Sequence, residues 1–342
     1  MNRIAVASLV ALACLGHLAH AGEDVELGKL LAAEAAAFPG KMTAYVKQLE
    51  TGREASVAPD DSMSSMSVIK LGILVKAYQM AEGGELDLGQ RVSLRTSDLR
   101  GGTGIFQFHE PGLNPTLRDL LLEMVITSDN TATEEMLARV GGVDALNRWF
   151  ETAGLAPMRM HASMAAYFAR VARIVLPQGQ ALGEREINAA LVGQRSGELS
   201  SAGEAFAVEI AKFEPWLGVC DRFSKPDTWL GTVSARSVGR LLEQIERATL
   251  ASRSHSSEMM DMLKNQQAGA RRIPMYLDTY YAVGHKTGDF PPCVANDAGI
   301  VYLRKGATVM VFLTDQIRGN YGEAEEKIGS LARRVAEYLE TK

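Results

Sequence analysis

Apolar residues fall at helical spacing from Val25 to Ala37, where Leu27, Leu30, Leu31 and Ala35 share one face and Pro39-Gly40 ends the run. From Lys41 to Leu49 the pattern changes to alternation, and Thr51-Gly52 turns the chain into a second short strand through Ser56 and Val57. Helical spacing returns from Ser67 to Met80 and is closed by Gly83-Gly84. Beyond a Gly-rich loop, Gly101-Gly102-Thr103-Gly104, and a Pro111-Gly112 turn, the periodicity predicts helices over 117–126, 131–139 and 143–152. The stretch 161–212 is Ala-rich and helical in pattern, broken near Pro177-Gln178-Gly179 and Arg195-Ser196-Gly197, and a further helix is predicted over 235–248. The C-terminal part changes character: β-like runs at 279–285, 298–303 and 308–314 precede an amphipathic helix over 323–340.

Strands at both ends, helices between them and a helix at each terminus predict an α+β protein. Its two ends form one antiparallel sheet flanked by helices, and an all-helical lobe is inserted between them. The expected division is a leader over 1–21 and one catalytic domain over 22–342. That domain has an α/β lobe from about 22–60 and 250–342 and a helical lobe of about 61–249, the latter enlarged by an insertion at about 161–212.

Composition narrows the function classes without choosing one. A 46% hydrophobic share excludes intrinsic disorder, and a net charge of −5 argues against a nucleic-acid partner, which favours a basic face. The start of the chain carries an address. Basic Met1-Asn2-Arg3 precedes the uncharged apolar run Ile4 to Leu15, and Ala19-His20-Ala21 has the small-x-small form of a signal-peptidase site. That run falls short of the roughly 20 apolar residues a membrane span requires. The expectation is therefore an exported, periplasmic or secreted monomer without a stable membrane anchor. Cys14 leaves with the leader, so the mature chain keeps Cys220 and Cys293, either bridged or as two buried thiols. The six histidines show no ligand spacing, so neither a metal nor another cofactor is expected.

Three short motifs stand in order: Ser67-Val68-Ile69-Lys70, Ser128-Asp129-Asn130 and Lys286-Thr287-Gly288. Ser67 at a helix start sits against free backbone N–H groups, which help to hold an oxyanion formed when its hydroxyl attacks a carbonyl. Lys70 lies one helical turn on, on the same face, and becomes a base if burial or a second cation lowers its pKa. Lys286 is a source of that pressure. Asp129 in a loop is suited to bonding backbone N–H groups, and Gly288 lets a ligand approach the strand backbone.

In this order and context the three motifs resemble those of the penicillin-recognising serine hydrolases, specifically the class A β-lactamases. The resemblance covers most of the mature chain. It implies a serine β-lactamase, an amide hydrolase that opens the β-lactam ring through an acyl-Ser67 intermediate. Ser128 would pass a proton to the departing nitrogen, and Asn130 would hold the substrate's acyl side chain and steady Lys70. Lys286 and Thr287 would bind the substrate carboxylate, and the N–H of Asp289 would join that of Ser67 as oxyanion donor. Asp289 departs from the Ser or Ala common at that position and sets a negative charge near an anionic substrate; Arg271 or Arg272 offsets it or lies solvated at the surface.

For ester hydrolysis the family uses a glutamate in a pattern like Glu-Pro-x-Leu-Asn. Glu214-Pro215-Trp216-Leu217-Gly218 is the preferred match, and Glu184-Arg185-Glu186-Ile187-Asn188 is the other. In the family fold the regions holding Cys220 and Cys293 adjoin, which implies a disulfide between them. Phe106 and Phe108 serve either as an aromatic wall of the cleft or as loop packing. The alternative functions implied are a D-alanyl-D-alanine peptidase or esterase acting on a peptidoglycan-like substrate, or a penicillin-binding sensor that stays acylated.

Overall fold

The computed structural model describes residues 22–110, 112–193, 199–212 and 217–342. The leader expected over 1–21, the break expected at Arg195-Ser196-Gly197 and the glutamate Glu214 lie outside the described residues. Asp24 caps the first helix, α1 (Val25–Ala36), by accepting a hydrogen bond from the Leu27 amide at 3.0 Å. Then come β1 (Lys41–Gln48), β2 (Glu54–Val57), the two-residue strand β3 (Met63–Ser64) and a 3₁₀ turn (Met66–Ile69) leading straight into α2 (Lys70–Glu82). The middle of the chain holds α3 (Leu117–Ile126), α4 (Asn130–Arg139), α5 (Gly142–Thr152), β4 (Arg159–Met160), α6 (Met164–Val175), α7 (Glu184–Leu191), α8 (Ser201–Ala211) and α9 (Leu217–Phe223). It continues through β5 (Gly231–Val233), α10 (Ala235–Glu246) and α11 (Arg253–Lys264). A meander of β6 (Val283–Phe290), β7 (Val294–Leu303) and β8 (Gly306–Asp315) precedes α12 (Tyr321–Thr341).

The two ends of the chain build one antiparallel sheet in the order β2-β1-β8-β7-β6, with the N-terminal β1 paired to β8 along its full length. Helices cover both faces, so β8 reads as a continuous apolar run rather than an alternating one. On one face Leu27 and Leu31 of α1 and Ile328, Leu331 and Val335 of α12 pack with Val46, Met310 and Phe312. On the other, Val238, Leu241, Leu242 and Ile245 of α10 bury against Tyr45, Ile300 and Val309. The helical part is organised around α2, whose side chains from Lys70 to Val75 are all buried. No helix among the described residues is long and apolar enough to cross a membrane.

The sequence expectations need correcting in four places. The strand expected over 279–285, with Lys286-Thr287-Gly288 at its end, is displaced: β6 runs Val283–Phe290 and carries that tripeptide at its centre. Gly288 and Asp289 do not break it, because another backbone packs on the glycine and an arginine compensates the aspartate. The helix α11 was not anticipated, since its polar, Met-rich sequence masks a buried stripe of Met259, Met260, Met262 and Leu263. A second small sheet, β3-β5-β4, is made of strands of two or three residues, too short to show a period. In addition, Leu217 and Gly218, assigned to a loop pattern, open the helix α9. Cys220 and Cys293 are joined in a disulfide with Cα atoms 5.2 Å apart, tying α9 to the start of β7.

Candidate active site

The residues singled out by the three motifs converge where the 3₁₀ turn, the start of α4 and the strand β6 meet. Ser67 sits in the turn, part-exposed, between Met66, which adopts a left-handed φ of 41°, and the buried Val68. Such a backbone costs a non-glycine residue free energy and persists only where its surroundings hold it. Asn296 in β7 does the holding: its Nδ2 donates to the Ser64 carbonyl at 2.7 Å, and its Oδ1 accepts from the Thr314 amide at 2.8 Å. Motif reasoning missed Asn296. The available signal was Asn296-Asp297, a polar pair buried in the middle of an apolar strand.

Gly288 faces this turn. A Cβ at Gly288 would lie 2.8 Å from the Ser65 carbonyl oxygen and 3.2 Å from the Ser67 amide nitrogen, so only glycine allows so close an approach. β6 is an edge strand, and the 3₁₀ turn that carries Ser67 packs on it.

Ser128 is the hub of the polar cluster. The fully buried Lys70 Nζ donates to the Ser128 carbonyl at 2.6 Å, to the Ser128 Oγ at 3.1 Å and to the Asn130 Oδ1 at 2.9 Å. Lys286 Nζ, also fully buried, donates to the Ser128 Oγ at 3.0 Å and to the Thr287 carbonyl at 3.0 Å. With both ammonium groups protonated, the Ser128 Oγ accepts twice and its own proton is free for a group in the cleft. Ser128 itself has a left-handed φ of 58°. The loop around it is held by Asp129, which caps α4 by accepting from the Ala132 amide at 2.9 Å and also accepts from the Phe106 amide at 2.8 Å. Gly104 packs so closely on Asp129 that a Cβ there would lie 2.3 Å from it, and Thr103 Oγ1 donates to the Ser128 carbonyl at 2.7 Å. The Gly-rich loop is thus part of the site's frame. Phe106 is buried in that frame, whereas Phe108 is exposed.

Electrostatics follow from burial. Burial, reinforced by the Lys286 charge, holds the Lys70 pKa well below the usual lysine value against the opposing pull of Asp129 and Asp289. Burial likewise lowers Lys286 to about 8, against the pull of Asp289 and Asp297. A neutral Lys70 has two N–H donors for two pure acceptors, the Ser128 carbonyl and the Asn130 Oδ1. Its lone pair is then left on the hydroxyl side of the cluster.

Asp289 follows Gly288 and is half-buried. Its carboxylate is paired with the guanidinium of Arg272, a side chain only 2% exposed, and accepts from the Tyr321 hydroxyl at 3.0 Å. Burial alone would raise the Asp289 pKa, but Arg272 holds it below the ordinary carboxylate value. Of the two arginines considered for this role, Arg272 fills it; Arg271 is exposed and pairs with Glu326 on α12. Thr287 is fully buried, and its Oγ1 has no hydrogen-bond partner among the described residues. Glu184 does not join the cluster: it is exposed at the start of α7 and lines a separate polar hollow of about 1040 Å³ with Arg95 and Arg100. Among the described residues no group of His, Cys, Asp and Glu side chains is arranged to hold a metal ion.

The model of the β-lactamase enzyme family matches residues 26–339, nearly the whole described chain. The chain belongs to the β-lactamase enzyme family. Beta-lactamase L2 of Stenotrophomonas maltophilia is 30% identical over 123 residues, a match spanning 36% of this chain and 40% of that relative's length. A mutant of PBP-A, solved as an acyl-enzyme complex with penicillin G, shares the fold with a TM-score of 0.70 at 20% identity, over 94% of this chain and 98% of that one. An ancestral class A β-lactamase shares it with a TM-score of 0.70 at 18% identity, over 91% and 99%. In this β-lactamase-family chain the three motifs meet where the edge strand β6 packs against the 3₁₀ turn and the start of α4.

Proposed function

We propose that the protein is an exported serine β-lactamase that opens the β-lactam ring through an acyl-Ser67 intermediate. The observation that carries the reading is the Lys70–Ser128–Lys286 relay beside a serine whose amide faces the backbone of Gly288. Ser67 Oγ attacks the lactam carbonyl carbon while neutral Lys70 takes its proton. The negative charge that develops on the carbonyl oxygen is met by the N–H groups of Ser67 and Asp289. As the C–N bond breaks, Ser128 Oγ gives its proton to the nitrogen and is reprotonated from the adjoining lysine. Asn130 orients Lys70 and the acyl side chain, and Lys286 and Thr287 receive the substrate carboxylate. Hydrolysis of the ester by water activated at Glu214 completes the turnover.

A second reading is a penicillin-binding protein that keeps its acyl group. It is favoured by the fold shared with PBP-A, of which a mutant is known as a penicillin acyl-enzyme, and by the position of Glu184 away from the cluster. A mass-spectrometric time course with penicillin G on the native protein, Ser67→Ala and Glu214→Gln separates the two. Transient acylation of the native protein, persistent acylation of Glu214→Gln and none of Ser67→Ala supports the lactamase. A permanent adduct on the native protein supports the sensor, and acylation of Ser67→Ala would overturn both.

A further inference from the structure

Accepting Ser67 as the acylated residue, the arrangement behind β6 bears on which molecules reach it. Successive side chains of a strand point to opposite faces, so Thr287 and Asp289 share a face and stand about 7 Å apart. The Thr287 hydroxyl is buried with no hydrogen-bond partner among the described residues, and the Asp289 carboxylate, 27% exposed, stands next along the same face. The nearby cation that could draw in an anionic ligand is already engaged. Arg272 Nε donates to Glu325 at 3.1 Å, Nη1 to the Asn296 carbonyl at 2.7 Å, and Nη2 to the Tyr321 hydroxyl at 3.0 Å as well as to Asp289. The Arg272 side chain is 2% exposed, so the guanidinium presents no donor to the cleft. Only one Asp289 oxygen is engaged in this network, Oδ1, shared by Arg272 and Tyr321. The carboxylate also lies close enough to Lys286 and Lys70 for its charge to act on both.

We propose that Asp289 is a specificity-determining residue: a built-in carboxylate that occupies Arg272 and makes the cleft favour acyl donors whose leaving-nitrogen side carries an uncharged or hydrogen-bond-donating group over those with a free carboxylate there. Two like charges about 7 Å apart at a half-buried site repel, and discrimination of this kind arises from a repulsive element as well as from attractive ones. Lys286, which faces Ser128, offsets part of that repulsion.

The test compares penicillin G with its methyl ester as acylating agents, on the native protein, Asp289→Asn and Asp289→Ser. Asp289→Asn keeps an oxygen acceptor for Arg272 and guards against loss of folding, which is monitored by thermal melting. The readout is the ratio of acylation rate constants, ester over acid, at low and high salt. The native ratio is expected to be at or above one and to fall by about tenfold in both variants, as the repelling carboxylate is lost and Arg272 keeps only Glu325 as its carboxylate partner. Acylation by the acid, but not by the ester, then becomes salt-sensitive. A native ratio well below one, or ratios within twofold of one another in folded variants, overturns the proposal while leaving acylation at Ser67 intact. Absence of any Ser67 adduct with both probes overturns the acyl-serine reading and this proposal with it.

Discussion

Replacing Gly288 with alanine tests the geometry around the proposed nucleophile, Ser67, most directly. The added Cβ would stand 2.8 Å from the Ser65 carbonyl oxygen, 3.1 Å from the Met66 Cβ and 3.2 Å from the Ser67 amide nitrogen. All three neighbours belong to the backbone or the root of a side chain, so none can swing away. Restoring ordinary contact at about 3.4 Å requires β6 and the 3₁₀ turn to separate by about 0.6 Å, beyond the roughly 0.5 Å within which a catalytic constellation works. The separation widens the gap between the amides of Ser67 and Asp289, the two proposed oxyanion donors, and weakens one of them. Loss of one such donor costs on the order of 10²–10³ in kcat, about 3 to 4 kcal/mol of transition-state stabilisation. Overpacking of this kind also destabilises the fold by about 1–3 kcal/mol, which a domain of this size tolerates. The assay is steady-state hydrolysis of a chromogenic cephalosporin, with thermal melting as the folding control. The expected result is a fall of at least about a hundredfold in kcat with a smaller change in KM, since the donor acts on the transition state. A folded Gly288→Ala protein retaining kcat within threefold of native would show that the close approach of β6 to Ser67 does not serve catalysis.

Three further outcomes follow from the same structure. The Cys220–Cys293 bridge closes a loop of 73 residues, so the paired Cys220→Ala, Cys293→Ala variant should lose about 4 kcal/mol of unfolding free energy in urea titration; a loss below about 1 kcal/mol would mean the link constrains little. Lys286, lowered to about 8, is charged below that pH and neutral above it, so kcat/KM for penicillin G should fall as pH rises through about 8 while that for its methyl ester changes less; parallel profiles would remove Lys286 from carboxylate recognition. Burial raises the buried Asp315 to about 6, above its unfolded value near 4. The folded state therefore binds the proton more tightly, and stability drops as pH climbs from about 4 to 6, so Asp315→Asn should be more stable than native by about 2 kcal/mol at pH 7.5 and by nothing at pH 3.5. Equal urea midpoints at both pH values would refute this.

What the sequence determined by itself was local chemistry and periodic structure. Helices with one apolar stripe, such as α3 and α10, and the termini of the sheet are written in spacing, because burial of one face imposes a period of 3.6 or 2 on the chain. Ser67, Lys70, Ser128 and Lys286 were legible because each motif is a short run whose residue types suit one chemistry. Compensation across the fold was not legible. Asp289 looks like a misplaced charge until Arg272, 17 residues earlier, and Tyr321, 32 residues later, close around it. Asn296 is an ordinary polar residue until tertiary packing sets its amide between Ser64 and Thr314. The helix α11 and the extension of β6 through Gly288 and Asp289 were likewise decided by contacts with distant segments, which override weak local preference. The sequence named the candidate groups; the tertiary structure decided their distances, their burial and hence their charges, since a pKa and a backbone donor's placement depend on atoms brought close from elsewhere in the chain.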